Sequence, residues 1–311
     1  MNNTFLLYGK IIIDDIRLHS GAIVPGNLGG GGPQAAFGMR LWHDDVALLT
    51  RSGNDLDQVH LQTLQDLGLD LSGWVRYDDL PTPHGLLEYD EHEYMLNRGL
   101  VTGTTNWKRL LSRPLTLSPQ HRQAAGIHLI TEFGNEPIAA DALDLQRRGA
   151  LCSLEPIFGD HSCPDPQALL ALASRVDIVT PDWPAASAFA GSEQPLEVLR
   201  YWSALGPQAV AIRHGAHGSY VWDRQHDQAW HIPVLPVDVV DPTGAGNAYG
   251  GGWCIGWWRF RDARLAGCYG TVAATLMISQ AGMPPLTDEQ RRVARTLLET
   301  ALDQTIEISN W

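Results

Sequence analysis

The chain has 311 residues, 44% of them hydrophobic and 18% charged, with a formal net charge of −13 at pH 7. That length and balance suit one large α/β domain with an appendage, or two domains, and argue against disorder. With 22 basic and 35 acidic residues, neither a nucleic-acid groove nor an anionic membrane surface is expected as a partner. No apolar run approaches the ~20 residues that span a bilayer. No basic-then-apolar leader precedes the first predicted strand, so the expected location is cytoplasmic. Cys152, Cys163, Cys254 and Cys268 form no Cys-x-x-Cys pair and are expected as free thiols.

Phe5 to Ile13 reads as one strand, interrupted by Gly9 and ending in Asp14-Asp15. The Gly-rich stretch from Gly26 to Gly32 leads to Pro33, a residue suited to a first helical position, and a helix is expected to about Trp42. Val46 to Thr50 follows as a strand. Asp55 to Leu67 reads as a helix with Val59, Leu61, Leu64 and Leu67 on its apolar stripe, closed by Gly68.

Between Pro81 and Gly103 the pattern changes. His84 to Tyr89 and Glu93 to Leu96 are short, half-polar segments around Asp90-Glu91, which predicts a small antiparallel hairpin standing off the main sheet. Strands and helices then alternate. Strands are expected at Ile127 to Thr131, Leu151 to Glu155, Ile178 to Thr180 and Val210 to Arg213. Helices are expected at Ala139 to Arg148, Pro166 to Ser174 and Pro184 to Ala190. Such alternation predicts a mainly parallel sheet covered on both faces, with ligands at the carboxyl ends of its strands. Gly218 to Trp222 and Ala229 to Ile232 form a closing antiparallel pair. Val237 to Val240 reads as a buried strand end, and three helices finish the chain: Gly244 to Trp258, Ala263 to Gln280 and Asp288 to Leu302.

Two Gly-rich stretches carry the chemistry. In the run Asp241-Pro242-Thr243-Gly244-Ala245-Gly246-Asn247, small residues at the entry to an apolar helix leave backbone N–H groups uncovered at a positive helix terminus. That geometry binds an anion such as a phosphoryl group. The earlier stretch, Gly29-Gly30-Gly31-Gly32-Pro33-Gln34-Ala35, satisfies a dinucleotide fingerprint by letter. It does not leave the first strand directly, however, as that fingerprint requires. Lys10 and Lys108 are the only lysines, so no phosphate-binding Gly-x-x-x-x-Gly-Lys loop exists. The histidine pairs His214/His217 and His226/His231 lack a metal-ligand framework and are expected on the surface or in packing. The tryptophans, among them Trp257 and Trp258, are expected in the core or an interface.

The run ending at Asn247 resembles the C-terminal signature of the ribokinase/PfkB sugar-kinase family, Asp-Thr-x-Gly-Ala-Gly-Asp. Asn247 stands where that family has its catalytic Asp. Gly29 to Gln34 is similar to the family's Gly-Gly-x-x-x-Asn, with Gln34 at the Asn position. Arg51-Ser52-Gly53-Asn54-Asp55, Gly68-Leu69-Asp70 and Arg213-His214-Gly215-Ala216-His217-Gly218 resemble further family segments. Glu155-Pro156 and Gln280-Ala281-Gly282-Met283-Pro284 are similar to a branch of the family known best from fungi.

The resemblance implies a ribokinase-like α/β fold over residues 1–311: one central, mainly parallel sheet with helices on both faces and a small β-sheet lid from segments near 14–28 and 81–103. It implies ATP, Mg²⁺ and K⁺ as cofactors, a sugar or nucleoside as substrate, and a homodimer through the lid. It assigns Asp14 (or Asp15 beside it), Gly29, Gly30 and Gln34 to substrate hydroxyls. It assigns Gly244, Ala245, Gly246 and Asn247 to catalysis, and Gly215, Gly218, Thr271 and Gly282 to the nucleotide. Asp241 and Thr243 fall at monovalent-cation ligands. Asp182 takes the Asn position of a Pro-Asn-x-x-Glu motif whose Glu organises Mg²⁺, and Ala185 stands where that Glu belongs. A turn or a helix cap is the plain alternative for Asp14, Asp182 and Asp241. Asn cannot accept a proton at neutral pH, and loss of a general base costs ~10²–10⁴-fold. Three readings stay open: a kinase with an altered site, using Asp241, Asp182 or a water as base; a protein that binds sugar and nucleotide without transfer; or another reaction, such as hydrolysis, on a ribosyl-type substrate.

Overall fold

The computed structural model describes residues 3–91, 95–113, 115, 117–158, 163–309 and 311. Strands are Phe5–Tyr8 (β1), Ile12–Arg17 (β2), Ile23–Gly29 (β3), Val46–Gly53 (β4), Trp74–Tyr77 (β5), His84–Tyr89 (β6), Met95–Leu100 (β7), Gly126–Thr131 (β8), Leu151–Pro156 (β9), Ile178–Val179 (β10), Ala209–Arg213 (β11), Ser219–Asp223 (β12), Gln228–Ile232 (β13) and Ile306–Glu307 (β14). Helices are Gly32–Arg40 (α1), Gln58–Asp66 (α2), Thr104–Leu111 (α3), Pro137–Arg147 (α4), Pro166–Ala173 (α5), Trp183–Ala190 (α6), Pro195–Ala204 (α7), Ala245–Phe260 (α8), Ala263–Ile278 (α9) and Asp288–Asp303 (α10).

The main sheet runs β14-β13-β12-β11-β10-β9-β8-β1-β4-β5. From β5 to β11 every pairing is parallel, and β12, β13 and β14 close the edge antiparallel. Alternation along β1 shows why both faces are covered. Phe5 and Leu7 join one apolar cluster, with α1, α8 and α9. Leu6 and Tyr8 join the other, with α4, α5 and α7. Strands buried on both faces read as continuous apolar runs, which is how β8, β9 and β11 read. The chain leaves β1 toward β4 on one side and returns as β8 on the other. The carboxyl ends of β1 and β8 therefore mark the crevice where such sheets bind ligands.

The second sheet, β3-β2-β6-β7, comes from the two segments expected to form it, around a small core of Ile16, Leu87 and Tyr89. The predicted Glu93 to Leu96 segment is partly outside the described residues; the strand described there is β7.

Several expectations need correction. The single strand Phe5 to Ile13 is two strands in different sheets. Gly9 packs against Gly32 so closely that a Cβ would lie 2.6 Å from the Gly32 Cα, and the chain crosses between sheets there. Asp14 thus belongs to β2, not to the end of the first strand. Val237 to Val240 is not a strand; Val239 and Val240 are exposed, and the segment is fixed by Val240 N–H donating to the Ile278 carbonyl (2.9 Å). Val59 is 65% exposed, so α2 packs through Leu64 and not through Val59. Helices α3 and α7 and strand β5 were not expected; Thr104–Leu111 and Trp74–Tyr77 are short and mixed in polarity.

Candidate active site

Gly244 caps α8 with φ 81°. In the first turn Ala245 N–H donates to the Pro242 carbonyl (3.4 Å), while the N–H groups of Gly246 and Asn247 stand at a helix start that supplies no intrahelical acceptor for them. The loop before it is held by Asp241, whose carboxylate accepts from Thr243 N–H (2.9 Å) and Gly282 N–H (3.5 Å). The small residues are required by contact. A Cβ on Gly244 would lie 2.3 Å from Gln34 Cγ, and one on Gly246 would lie 2.6 Å from Arg213 Nη1.

The two Gly-rich stretches meet. Gly31, between β3 and α1, has its Cβ direction 2.9 Å from Asn247 Nδ2. Gln34 Nε2 donates to the Leu28 carbonyl (2.7 Å), while its Oε1 is buried with no hydrogen-bond partner among the described residues. Asp14 is 5% exposed, and its carboxylate lies over Gly29 of β3 and Gly85 of β6, whose Cβ positions it would occupy. Asp15 faces elsewhere, accepting from Gly26 N–H (2.9 Å) and pairing with His84 Nε2 (3.3 Å). Of the two carboxylates, Asp14 is the inward one.

Beneath Asn247 lies a buried charge network. Glu155, at the end of β9 and 3% exposed, accepts at Oε1 from Asn247 Nδ2 (2.7 Å) and from Arg213 Nη1 (2.8 Å). His128 of β8 approaches Glu155 Oε2 at 3.6 Å and is turned by a 2.8 Å bond between its Nδ1 and Ser153 Oγ. Burial alone would raise the Glu155 carboxyl, but the charge of Arg213 and the bond to His128 outweigh it and its pKa is lowered. Gly250 makes room, for a Cβ there would lie 2.5 Å from Glu155 Oε2. Asp182, half-buried before α6, has its pKa raised by burial, with Arg213 pulling down and Glu155 pushing up. Its Oδ1 is sealed from solvent and has no partner among the described residues.

Gly215 and Gly218 turn the chain from β11 into β12, Gly218 with φ 83° and no space for a Cβ beside the Ile232 carbonyl. His214 of that turn stacks on Trp183, centroids 3.6 Å apart. Gly282 reaches Asp241 and faces Asn27 of β3. Thr271 is buried in α9, and no contact described joins it to Gly215, Gly218 or Gly282.

The cation candidates fit poorly. Asp241 is engaged by backbone N–H groups, and Thr243 Oγ1 donates to Tyr89 Oη (3.1 Å). Both residues fix the loop rather than hold open donors for K⁺. Asp182 lies in the field of Arg213, a cation that disfavours a second positive charge beside it, so Asp182 fits Mg²⁺ poorly. No step below runs through either ion.

Sequence reasoning missed Glu155, Arg213 and His128 as site residues. The signal was present: polar side chains in otherwise apolar parallel strands, Glu155 and Arg213 at their carboxyl ends and His128 within β8. The same signal marks a second group at the ends of β1, β4 and β8. There Lys10 pairs with Glu132, Tyr8 Oη donates to Glu136 Oε2 (2.5 Å), and Arg51 Nη1 donates to Tyr8 Oη (3.1 Å). Burial and the Glu136 charge push the Tyr8 hydroxyl pKa up.

A family model described as pfkB family carbohydrate kinase matches residues 15–288. The chain is 26% identical to a cytidine kinase of Thermococcus kodakarensis over 258 residues, 82% of this chain and 89% of that protein. It is 26% identical to an uncharacterized protein of Schizosaccharomyces pombe over 324 aligned positions, 91% of this chain and 86% of that one. The fold is similar to that of an Arabidopsis thaliana ribokinase complexed with ribose and ATP, with a TM-score of 0.72 at 19% identity, covering 96% of this chain and 99% of that chain.

Proposed function

The chain belongs to the pfkB family of carbohydrate kinases, and on that premise we propose that it transfers the γ-phosphoryl group of ATP to a hydroxyl of a small sugar or nucleoside. The observation that carries this reading is the meeting of the two Gly-rich stretches, Gly31 on Asn247 and Gly244 on Gln34. A hydroxyl-binding surface and an anion hole thereby share one cleft.

Asp14, Gly29, Gly30 and Gln34 hold the substrate hydroxyls; the buried amide oxygen of Gln34 needs a donor, and a polyol supplies it. Gly244, Ala245 and Gly246 hold the phosphoryl oxygens by backbone N–H groups. Arg213, beside Gly246, adds a fixed positive charge where charge develops. Gly215, Gly218 and Gly282 border the nucleotide, with Thr271 behind them in α9. Mg²⁺ carried by ATP would supply charge neutralisation on its phosphates. The small sheet acts as a lid on a single unit, residues 1–311. Transfer forms a bond from the substrate oxygen to the γ-phosphorus and breaks the bond to the β–γ bridging oxygen, releasing ADP. The hydroxyl proton passes to an oxygen of the transferring phosphoryl group, which a loose transition state permits. The cytidine kinase relative makes nucleosides the first class to test.

The absent base and the poorly fitting Asp182 favour, as a second reading, a protein that binds both ligands without transfer. One experiment separates the two. Thermal unfolding is followed with ATP, ADP, cytidine, other nucleosides, ribose and fructose, and ADP release is measured on the same panel. A ligand at 100 times its Kd should add ~2.7 kcal/mol of stability. Stabilisation with ADP release is the expected result. Stabilisation by nucleotide and nucleoside without ADP release selects the binding reading, and cleavage of a nucleoside without ATP overturns both.

A further inference from the structure

We propose that Glu155 is a positioning residue of the transfer site: its charge fixes the Asn247 amide with Oδ1 toward the cleft, and it is the reason a carboxylate does not stand at position 247. The second half rests on no assumed activity; the role in transfer rests on the kinase reading above.

The orientation follows from chemistry. A carboxylate oxygen can only accept, so the Asn247 atom 2.7 Å from Glu155 Oε1 must be the amide nitrogen. The amide oxygen is then the atom that makes no bond to Glu155, and it lies 3.3 Å from the Cβ direction of Gly31, farther than Nδ2 at 2.9 Å. Asn247 therefore offers the substrate hydroxyl an acceptor of the same polarity as a carboxylate, but without charge. The ionisable groups that face Glu155 come from several elements. Arg213 on β11 shares the same Oε1, His128 on β8 lies at Oε2, Asp182 precedes α6, and α8 closes over it through Gly250.

An Asp at 247 would replace the donated N–H with a second carboxylate oxygen at the same distance. Two carboxylates that close do not both ionise without cost, and Arg213 can neutralise only one of them. In this chain a negative charge is already placed under the anion hole, at 155. Asn at 247 is its electrostatic complement.

The test is a double-mutant cycle of Asn247→Asp and Glu155→Gln, read first by thermal unfolding without ligands. Asn247→Asp should lower Tm in the native background and leave it nearly unchanged in the Glu155→Gln background. Asn247→Ser, smaller and neutral, should cost less Tm than the isosteric Asp, which isolates charge from shape should the double variant fold poorly. Equal effects of Asn247→Asp in both backgrounds, or a smaller cost for Asp than for Ser, would overturn the proposal. Turnover of ATP with cytidine supplies the second readout. Asn247→Asp alone should be no faster than the native chain, whereas the double variant should gain about 10-fold or more over Asn247→Asp in kcat, as a carboxylate free of its neighbour regains a base role. A gain in Asn247→Asp alone equal to that of the double variant overturns the proposal. Coupled Tm values with no turnover in any variant overturn the kinase reading and leave the Glu155–Asn247 coupling established.

Discussion

Glu155 carries a charge in a buried position because Arg213 and His128 hold its carboxyl below the ordinary value, and a depressed carboxyl links stability to pH. Its contribution is fully present above the unfolded value of about 4.3 and is lost as pH falls through the lower folded value. Glu155→Gln removes that dependence and leaves Arg213 without its counter-charge. The variant should be less stable than the native chain at neutral pH, and the gap should narrow below pH ~4. Chemical unfolding at several pH values checks this; a gap that is constant with pH would mean Glu155 is not ionised in the folded state. At the same scale, Gly250→Ala would drive a methyl group into Glu155 Oε2 and His128 Nε2. Overpacking of this kind costs ~1–3 kcal/mol.

Helix α8 contains glycines that propensity alone would count against it by ~0.5–1 kcal/mol each. Their neighbours explain them. Gly251 lies so near α1 that a Cβ would be 2.2 Å from the Ala35 carbonyl oxygen, and Gly38 of α1 is as tight against the Ala248 carbonyl, at 2.1 Å. On its other side Gly252 meets the Tyr269 carbonyl of α9, at 2.6 Å. Backbone-to-backbone packing lets the turn bearing Asn247 reach Gly31. Gly251→Ala should separate α1 from α8, destabilise the fold by ~1–3 kcal/mol, and weaken ATP-dependent turnover. Urea unfolding with a turnover assay measures both. The apolar helix from Gly244 was legible because composition revealed it; the partners that require its glycines were not, since they come from α1, β9 and α9.

The small sheet and the loop before α8 are joined by Thr243 Oγ1 donating to Tyr89 Oη (3.1 Å), and Gly282 faces Asn27 of the same sheet. These contacts couple a separate sheet to the anion hole. Tyr89→Phe should cost only ~0.5–1.5 kcal/mol of stability, the worth of one hydrogen bond. It should raise KM for the hydroxyl substrate several-fold with a smaller change in kcat, because it loosens the sheet over the cleft and leaves the transfer groups in place. Unchanged KM would place the small sheet outside substrate binding. A small sheet off the main one was legible from the change to short half-polar segments at His84 to Tyr89.

The sequence by itself determined the alternating α/β architecture, the closing antiparallel pair, the three final helices and the two Gly-rich stretches. Each of these is a local property: an apolar period, a turn residue, a run without side chains. Only the tertiary structure decided that the first predicted strand breaks at Gly9 and sends Asp14 into another sheet, because the break is imposed by Gly32, distant along the chain. Only it decided that Val237 to Val240 stays outside both sheets, held by Val240 N–H donating to the Ile278 carbonyl of α9. It alone paired Asn247 with Glu155 across 92 residues. A substitution at one end of that pair has meaning only through the charge at the other, and no local pattern records the distance between them.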